Sequence, residues 1–146
     1  MNPTINNQPM RNNQPMSGES ATAGNTILLI EDEPSVTAFI CAALQRHGYT
    51  VVPASSGAEG LAHLEHENFA GVISDIRMPG AVNGAEVHEW IRLHRPELRQ
   101  RLILMSGDTA NSKTQALLAN SGVAYIEKPF RVQQLISAVE TAFGKP

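Results

Sequence analysis

The chain has 146 residues, 42% of them hydrophobic and 17% charged, and a formal net charge of −3 with its histidines neutral. That length suits one domain with a short additional segment, and the charge balance offers neither a basic footprint for nucleic acid nor a Lys/Arg block for an anionic membrane. A single cysteine, Cys41, excludes an internal disulfide, and its place on an apolar helical pattern reads as a small buried hydrophobe. The longest apolar run, Ile27–Ile30, is far too short to span a bilayer, and the N-terminus has no apolar signal-peptide core, so a cytoplasmic protein is expected.

Residues 1–25 are rich in Asn, Gln, Pro, Ser and Gly, and the pentapeptide NNQPM occurs twice, at Asn6–Met10 and Asn12–Met16. Such a segment buries too little apolar surface to offset its ordering entropy and reads as a disordered tail. Regular patterning begins at Thr26, and residues 26–144 read as one domain. Five short apolar runs follow, at Ile27–Ile30, Tyr49–Val52, Gly71–Ile73, Leu102–Met105 and Val123–Ile126. Their brevity and unbroken apolarity predict parallel strands buried on both faces.

Helical patterns separate them. Val36, Phe39, Ile40, Ala43 and Leu44 share a face, with Pro34 at the start and Gly48 past the end. Weaker patterns cover Ala58–His66 and Ser112–Asn120, the latter closed by Gly122. Val87, Trp90, Ile91 and His94 repeat the spacing before Pro96, and Val132, Leu135, Ile136, Val139 and Phe143 form the clearest stripe. Fivefold alternation of strand and helix predicts an α/β fold, a doubly wound parallel sheet with right-handed crossovers. In such sheets ligands bind beyond the carboxyl ends of the strands.

Those ends carry related chemistry. The first run ends in Glu31-Asp32-Glu33, the third in Asp75, the fourth in Ser106-Gly107-Asp108 and the fifth in Glu127-Lys128-Pro129-Phe130. The second ends in Pro53-Ala54-Ser55, with no ionisable group. Neighbouring carboxylates repel one another and need a cation. An all-oxygen set without His or Cys selects a hard divalent ion, and Mg²⁺ fits. An ion, a hydroxyl and an amine around one carboxylate are the parts of a phosphoryl-transfer site, with Asp75 as nucleophile, Ser106 as donor and Lys128 as a mobile charge. The histidines take no part: His63 and His66 read as a solvated face, and His47 suits a helix C-terminus.

The acid pair, Asp75, Ser106 and Lys128, in that order and at those separations, resemble the receiver domain of two-component response regulators from about Thr26 to Phe143. The resemblance implies a flavodoxin-like (βα)5 fold with strand order 2-1-3-4-5. It assigns Asp75 as phospho-acceptor, and Asp32, Asp75, Glu31 (through water) and the Arg77 main-chain carbonyl as Mg²⁺ ligands. Ser106 and Tyr125 fall on switch positions, and Lys128 on the lysine, with a cis peptide to Pro129. Arg77 and Asp108 fall where side chains flank attacking water and tune hydrolysis. The implied partners are a sensor histidine kinase or a histidine phosphotransfer protein, and a downstream protein at the helix 4–strand 5–helix 5 face. No nucleic acid or membrane partner is expected, nor an enzymatic activity beyond the domain's own phosphorylation and dephosphorylation.

The loop Met78-Pro79-Gly80-Ala81-Val82-Asn83 holds one residue more than the family pattern before Gly84. A receiver from a hybrid histidine kinase is the alternative. An aspartyl-phosphate phosphohydrolase fits less well, because Pro34 stands two residues after Asp32 and there is no length for a cap. A binding-only receiver would lack Asp75, Asp32 or Lys128. With only Gly144-Lys145-Pro146 after Phe143, output through protein contacts is expected rather than a DNA-binding domain.

Overall fold

The computed structural model describes residues 24–107 and 111–146. The tail reading for residues 1–25 and the assignment of Asp108 therefore lie largely outside the described residues. Five strands, β1 (Thr26–Ile30), β2 (Thr50–Ala54), β3 (Gly71–Asp75), β4 (Leu102–Ser106) and β5 (Ala124–Glu127), alternate with α1 (Pro34–Arg46), α2 (Gly57–His66), α3 (Gly84–His94), α4 (Ser112–Ser121) and α5 (Val132–Phe143). All four strand pairings are parallel, in the order β2-β1-β3-β4-β5. The chain reverses direction across the sheet between β1 and β3, so the switch point lies at the ends of those two strands.

Alternation along each strand divides the core into two layers. Ile27, Leu29, Ile73, Ile103 and Met105 pack with α1 and α5. Leu28, Ile30, Val72, Leu102 and Leu104 pack with α2, α3 and flanking residues of α4. The three central strands are buried as their apolar runs predict. The outer two are not: β2 buries Val51 and Ala54, and β5 buries none of its residues. They are edge strands, each with one neighbour, and Pro53 is tolerated because an edge has backbone donors to spare.

Two other side chains depart from expectation. Phe39 lies at the margin of the α1 stripe, 42% exposed, and meets Phe130 edge-on with ring centroids 6.0 Å apart. Cys41 is half-buried against the α1–α5 layer.

Local signals place the helix starts. Ser56 Oγ accepts the Glu59 N–H, and Asn83 and Glu86 form a reciprocal capping box at α3. At the far end of the sheet, the Phe143 ring lies against Gly71, where a Cβ would meet it at 2.5 Å. Tyr49 Oη donates to the Gly144 carbonyl and Arg101 Nη1 to that of Phe143, which fixes the end of α5 beneath the strands.

Candidate functional site

Register brings the strand ends together. Ile30 pairs with Ser74 and Asp75 with Met105, so Glu31, the residue after β1, stands beside Asp75 at the end of β3. Ser106 pairs with Glu127, which puts Lys128 one step beyond the end of β5. Parity supplies direction. Asp75 follows Ile73 onto the α1–α5 side, and Ser106 follows Leu104 onto the other side, as does Tyr125, the partner of Leu104.

The result is an acidic cluster with one cation in it. Ligand oxygens of Glu31, Asp32 and Asp75 all lie within 4.8 Å of one another. Lys128 Nζ donates to Asp75 Oδ2 at 2.9 Å and to Glu31 Oε1 at 3.0 Å. Glu31 and Asp75 are buried, while Asp32 and Lys128 are partly exposed. Burial pushes the Glu31 carboxyl above its ordinary value, outweighing hydrogen bonds from Lys128 and the Glu33 N–H. Burial also works against the Lys128 ammonium, but the hydrogen bonds to Asp75 and Glu31 prevail and hold its pKa up.

Backbone packing fixes the frame. The Lys128 N–H donates to the Ser106 carbonyl at 2.7 Å, and the Lys128–Pro129 peptide is cis. Gly84 opens α3 directly against β3: its N–H donates to the Ile76 carbonyl, and an added Cβ would lie 2.7 Å from the Asp75 carbonyl oxygen. The loop between β3 and α3 is anchored by packing. Met78 and Val82 pack on the α2–α3 layer, and Val82 covers Gly57 at the start of α2.

Glu31, Asp32, Asp75 and Lys128 are thus assembled in one place, and Ser106 is buried at the adjacent strand end. Arg77 is exposed and lines a cleft with Met78, Asn83 and Lys113. Tyr125 is 50% exposed, its side chain outside the core. No histidine belongs to the cluster: His63 pairs with Glu67, His47 bonds the Ala43 carbonyl and His94 stacks on Trp90. Two features went unread in the sequence, the Asn83–Glu86 box and the contact of Gly84 with the Asp75 carbonyl. The first had a signal in Asn-x-x-Glu before an apolar run; the second, a tertiary approach, had none.

The family model described as response regulator receiver domain matches residues 27–140. The chain belongs to the response regulator receiver family. Among relatives of this receiver, the CAI-1 autoinducer sensor kinase/phosphatase CqsS of Vibrio cholerae is 35% identical over 114 residues, covering 77% of this chain and 16% of that protein. The transcriptional regulatory protein TcrA of Mycobacterium tuberculosis is 30% identical over 115 residues, covering 79% and 44%. The receiver therefore spans less than half the length of either. The crystal structure of a sensor histidine kinase receiver domain from Pseudomonas aeruginosa, with a magnesium ion coordinated in its active-site cleft, superposes with a TM-score of 0.73 at 26% identity, covering 84% of this chain and all of that one. Among the described residues, no helix is long and apolar enough to cross a membrane.

Proposed function

We propose that this receiver accepts a phosphoryl group on Asp75 from a phosphohistidine of a sensor kinase or phosphotransfer protein. The observation that carries the reading is Lys128 Nζ bonded at once to Asp75 and Glu31 inside a three-carboxylate cluster. Three carboxylates against one ammonium leave two negative charges unbalanced, the deficit a divalent ion corrects. The donors are all oxygen, as Mg²⁺ prefers. Asp32, Asp75, the Arg77 main-chain carbonyl and Glu31, the last through water, would hold it. When bound it supplies charge neutralisation for the phosphoryl oxygens.

In the transfer a carboxylate oxygen of Asp75 bonds to phosphorus while the phosphorus–nitrogen bond of the phosphohistidine breaks. The electron pair stays on the imidazole nitrogen, which then takes up a proton. Lys128 moves its contact from the Asp75 carboxylate to a phosphoryl oxygen, and the Ser106 hydroxyl donates to another. The phosphoryl group carries roughly one and a half to two negative charges at neutral pH, of which about one replaces the charge the Asp75 carboxylate gives up. Ser106 and Tyr125 share one side of the sheet, so a shift of Ser106 toward phosphate opens space for the exposed Tyr125 ring to turn inward. The surface of α4, β5 and α5 then changes affinity for a downstream protein, a population shift between two packings. In this reading the receiver is cytoplasmic and catalyses only its own phosphorylation and dephosphorylation.

Intact-protein mass after incubation with acetyl phosphate and Mg²⁺ tests the assignment. One phosphoryl adduct is expected in the native chain and none in Asp75→Asn or with EDTA. A metal-dependent adduct persisting in Asp75→Asn would place the chemistry on another residue.

A further inference from the structure

At the opposite end of the sheet from the acidic cluster lies an open groove of about 970 Å³, running beneath the edge strand β5 from α3 to α5. Its strand residues, Leu102 and Ala124, begin β4 and β5. Leu102 stands four residues before Ser106, roughly 13 Å along the strand. His88, Arg92 and Arg99 stand on one wall, and among the described residues lining the groove none is acidic. In a chain of net charge −3 this is a local reversal of sign. His88 is held below its ordinary value by burial first, with the Arg92 and Arg99 cations acting the same way against Glu89. At neutral pH the groove's charge therefore resides on the two arginines. Arg92 pairs with Glu89 on the helix surface, while Arg99 has no ion-pair partner among the described residues. The opposite wall, on α5, offers Gln133, Gln134, Ser137 and Thr141, side chains that can bond a peptide backbone.

We propose that this groove binds an acidic peptide segment of a partner protein, its carboxylates pairing with Arg99 and Arg92 and its main chain meeting the amides and hydroxyls of α5. The planar arginine fork suits carboxylates. An open trough suits an extended chain better than a small metabolite, whose sites are mostly enclosed. Nucleic acid fits poorly, because the lining has no Phe, Tyr or Trp to stack a base and the net negative chain repels a long polyanion. Residues 1–23 carry one acid, Glu19, so they do not supply the segment. None of the groove's lining residues belongs to the acidic cluster around Asp75.

The test is fluorescence anisotropy of the full chain with a labelled Glu-Ser-Glu-Gly repeat peptide at low salt, beside the same peptide with Gln for Glu. Saturable binding of the acidic peptide is expected, weakening about tenfold or more in Arg92→Gln/Arg99→Gln and with added salt, and unchanged in Asp75→Asn. Amide shifts in the native chain should cluster on α3, the start of β5 and α5. Absence of binding, equal binding of the Gln peptide or indifference to the arginine substitutions overturns the proposal. So does tighter binding of a single-stranded RNA of equal length, or sedimentation showing that the two arginines govern self-association instead.

Discussion

Lys128 Nζ lies 2.9 Å from Asp75 Oδ2, across 53 residues of sequence. The ammonium also holds Glu31, so one side chain from the last loop neutralises carboxylates delivered by two inner strands. Removing one partner of such a buried group leaves the others uncompensated.

Lys128→Met should therefore destabilise the metal-free protein by about 1–3 kcal/mol, below the figure for a fully buried pair because the lysine is partly exposed. Mg²⁺ should restore more stability to the variant than to the native chain, since it replaces the lost charge. Urea unfolding with EDTA and with Mg²⁺ measures both. Equal responses to Mg²⁺ in the two proteins would mean that Lys128 does not balance this cluster.

Glu31 carries a pH dependence of defined sign. Its folded pKa is raised above the ordinary 4.5, so its support for folding is complete below pH 4.5 and is lost as pH rises through the folded value. Glu31→Gln mimics the protonated carboxyl, keeping one acceptor oxygen for Lys128 or for the Glu33 N–H but not for both, and it removes that loss. Without metal the variant should be more stable than the native chain at pH 8, by about 1 kcal/mol, and the gap should close toward pH 4. With Mg²⁺ the order should reverse. A variant less stable at pH 8 in EDTA would show that Glu31 is stabilised there rather than strained.

Much of this is legible in the sequence, because period and punctuation are local. Five apolar runs with helices between them specified the parallel sheet, and Gly122 and Pro96 marked helix ends that the structure keeps. The site was legible for a related reason: in a parallel sheet, residues just past the runs must share one edge, whatever their separation in sequence. Which runs lie at the edges was not legible from apolarity, since Val123–Ile126 reads as apolar as a central strand yet the strand it forms, Ala124–Glu127, has one neighbour. Phe39 belongs to the α1 stripe by period but is drawn to Phe130 by a loop whose course is tertiary. The same limit hid the Gly84 contact.

That contact supports a prediction. A Cβ at Gly84 would press on the Asp75 carbonyl and on the Ile76 Cα, each at 2.7 Å, and both are backbone atoms that cannot swing aside. Gly84→Ala should cost about 1–3 kcal/mol and slow phosphorylation by acetyl phosphate. Gly80→Ala, in open space at φ +100, is the control: it should lose about 1 kcal/mol from backbone strain and keep its phosphorylation rate. Matching rates in the two variants would sever the link between α3 packing and Asp75.

Arg77 stands two residues beyond Asp75, exposed at the mouth of the cleft that Lys113 also lines. If its side chain obstructs the approach of water to an acyl phosphate, Arg77→Ala should shed the phosphoryl group several-fold faster, on the order of 1 kcal/mol in the barrier. Decay of the adduct mass with time gives the rate. Equal or slower decay removes Arg77 from that role and leaves its carbonyl as its one contribution to the site.

A last substitution separates stability from chemistry. Arg95, in the turn after α3, donates through Nη1 to the carbonyls of Leu64 (2.8 Å) and Glu67 (3.1 Å) and through Nη2 to Asn68 Oδ1. It thus satisfies carbonyls at the end of α2 that the helix cannot satisfy itself. These bonds lie away from the carboxyl ends of the strands. Arg95→Ala should lower unfolding stability by about 2 kcal/mol, within the range for charge-assisted bonds to part-buried carbonyls. Its phosphorylation rate at a temperature where the variant remains folded should equal that of the native chain. A matched fall in both would mean that the α2–α3 clasp and the acidic cluster form one cooperative unit, so the rate loss in Gly84→Ala would then report stability rather than the position of Asp75.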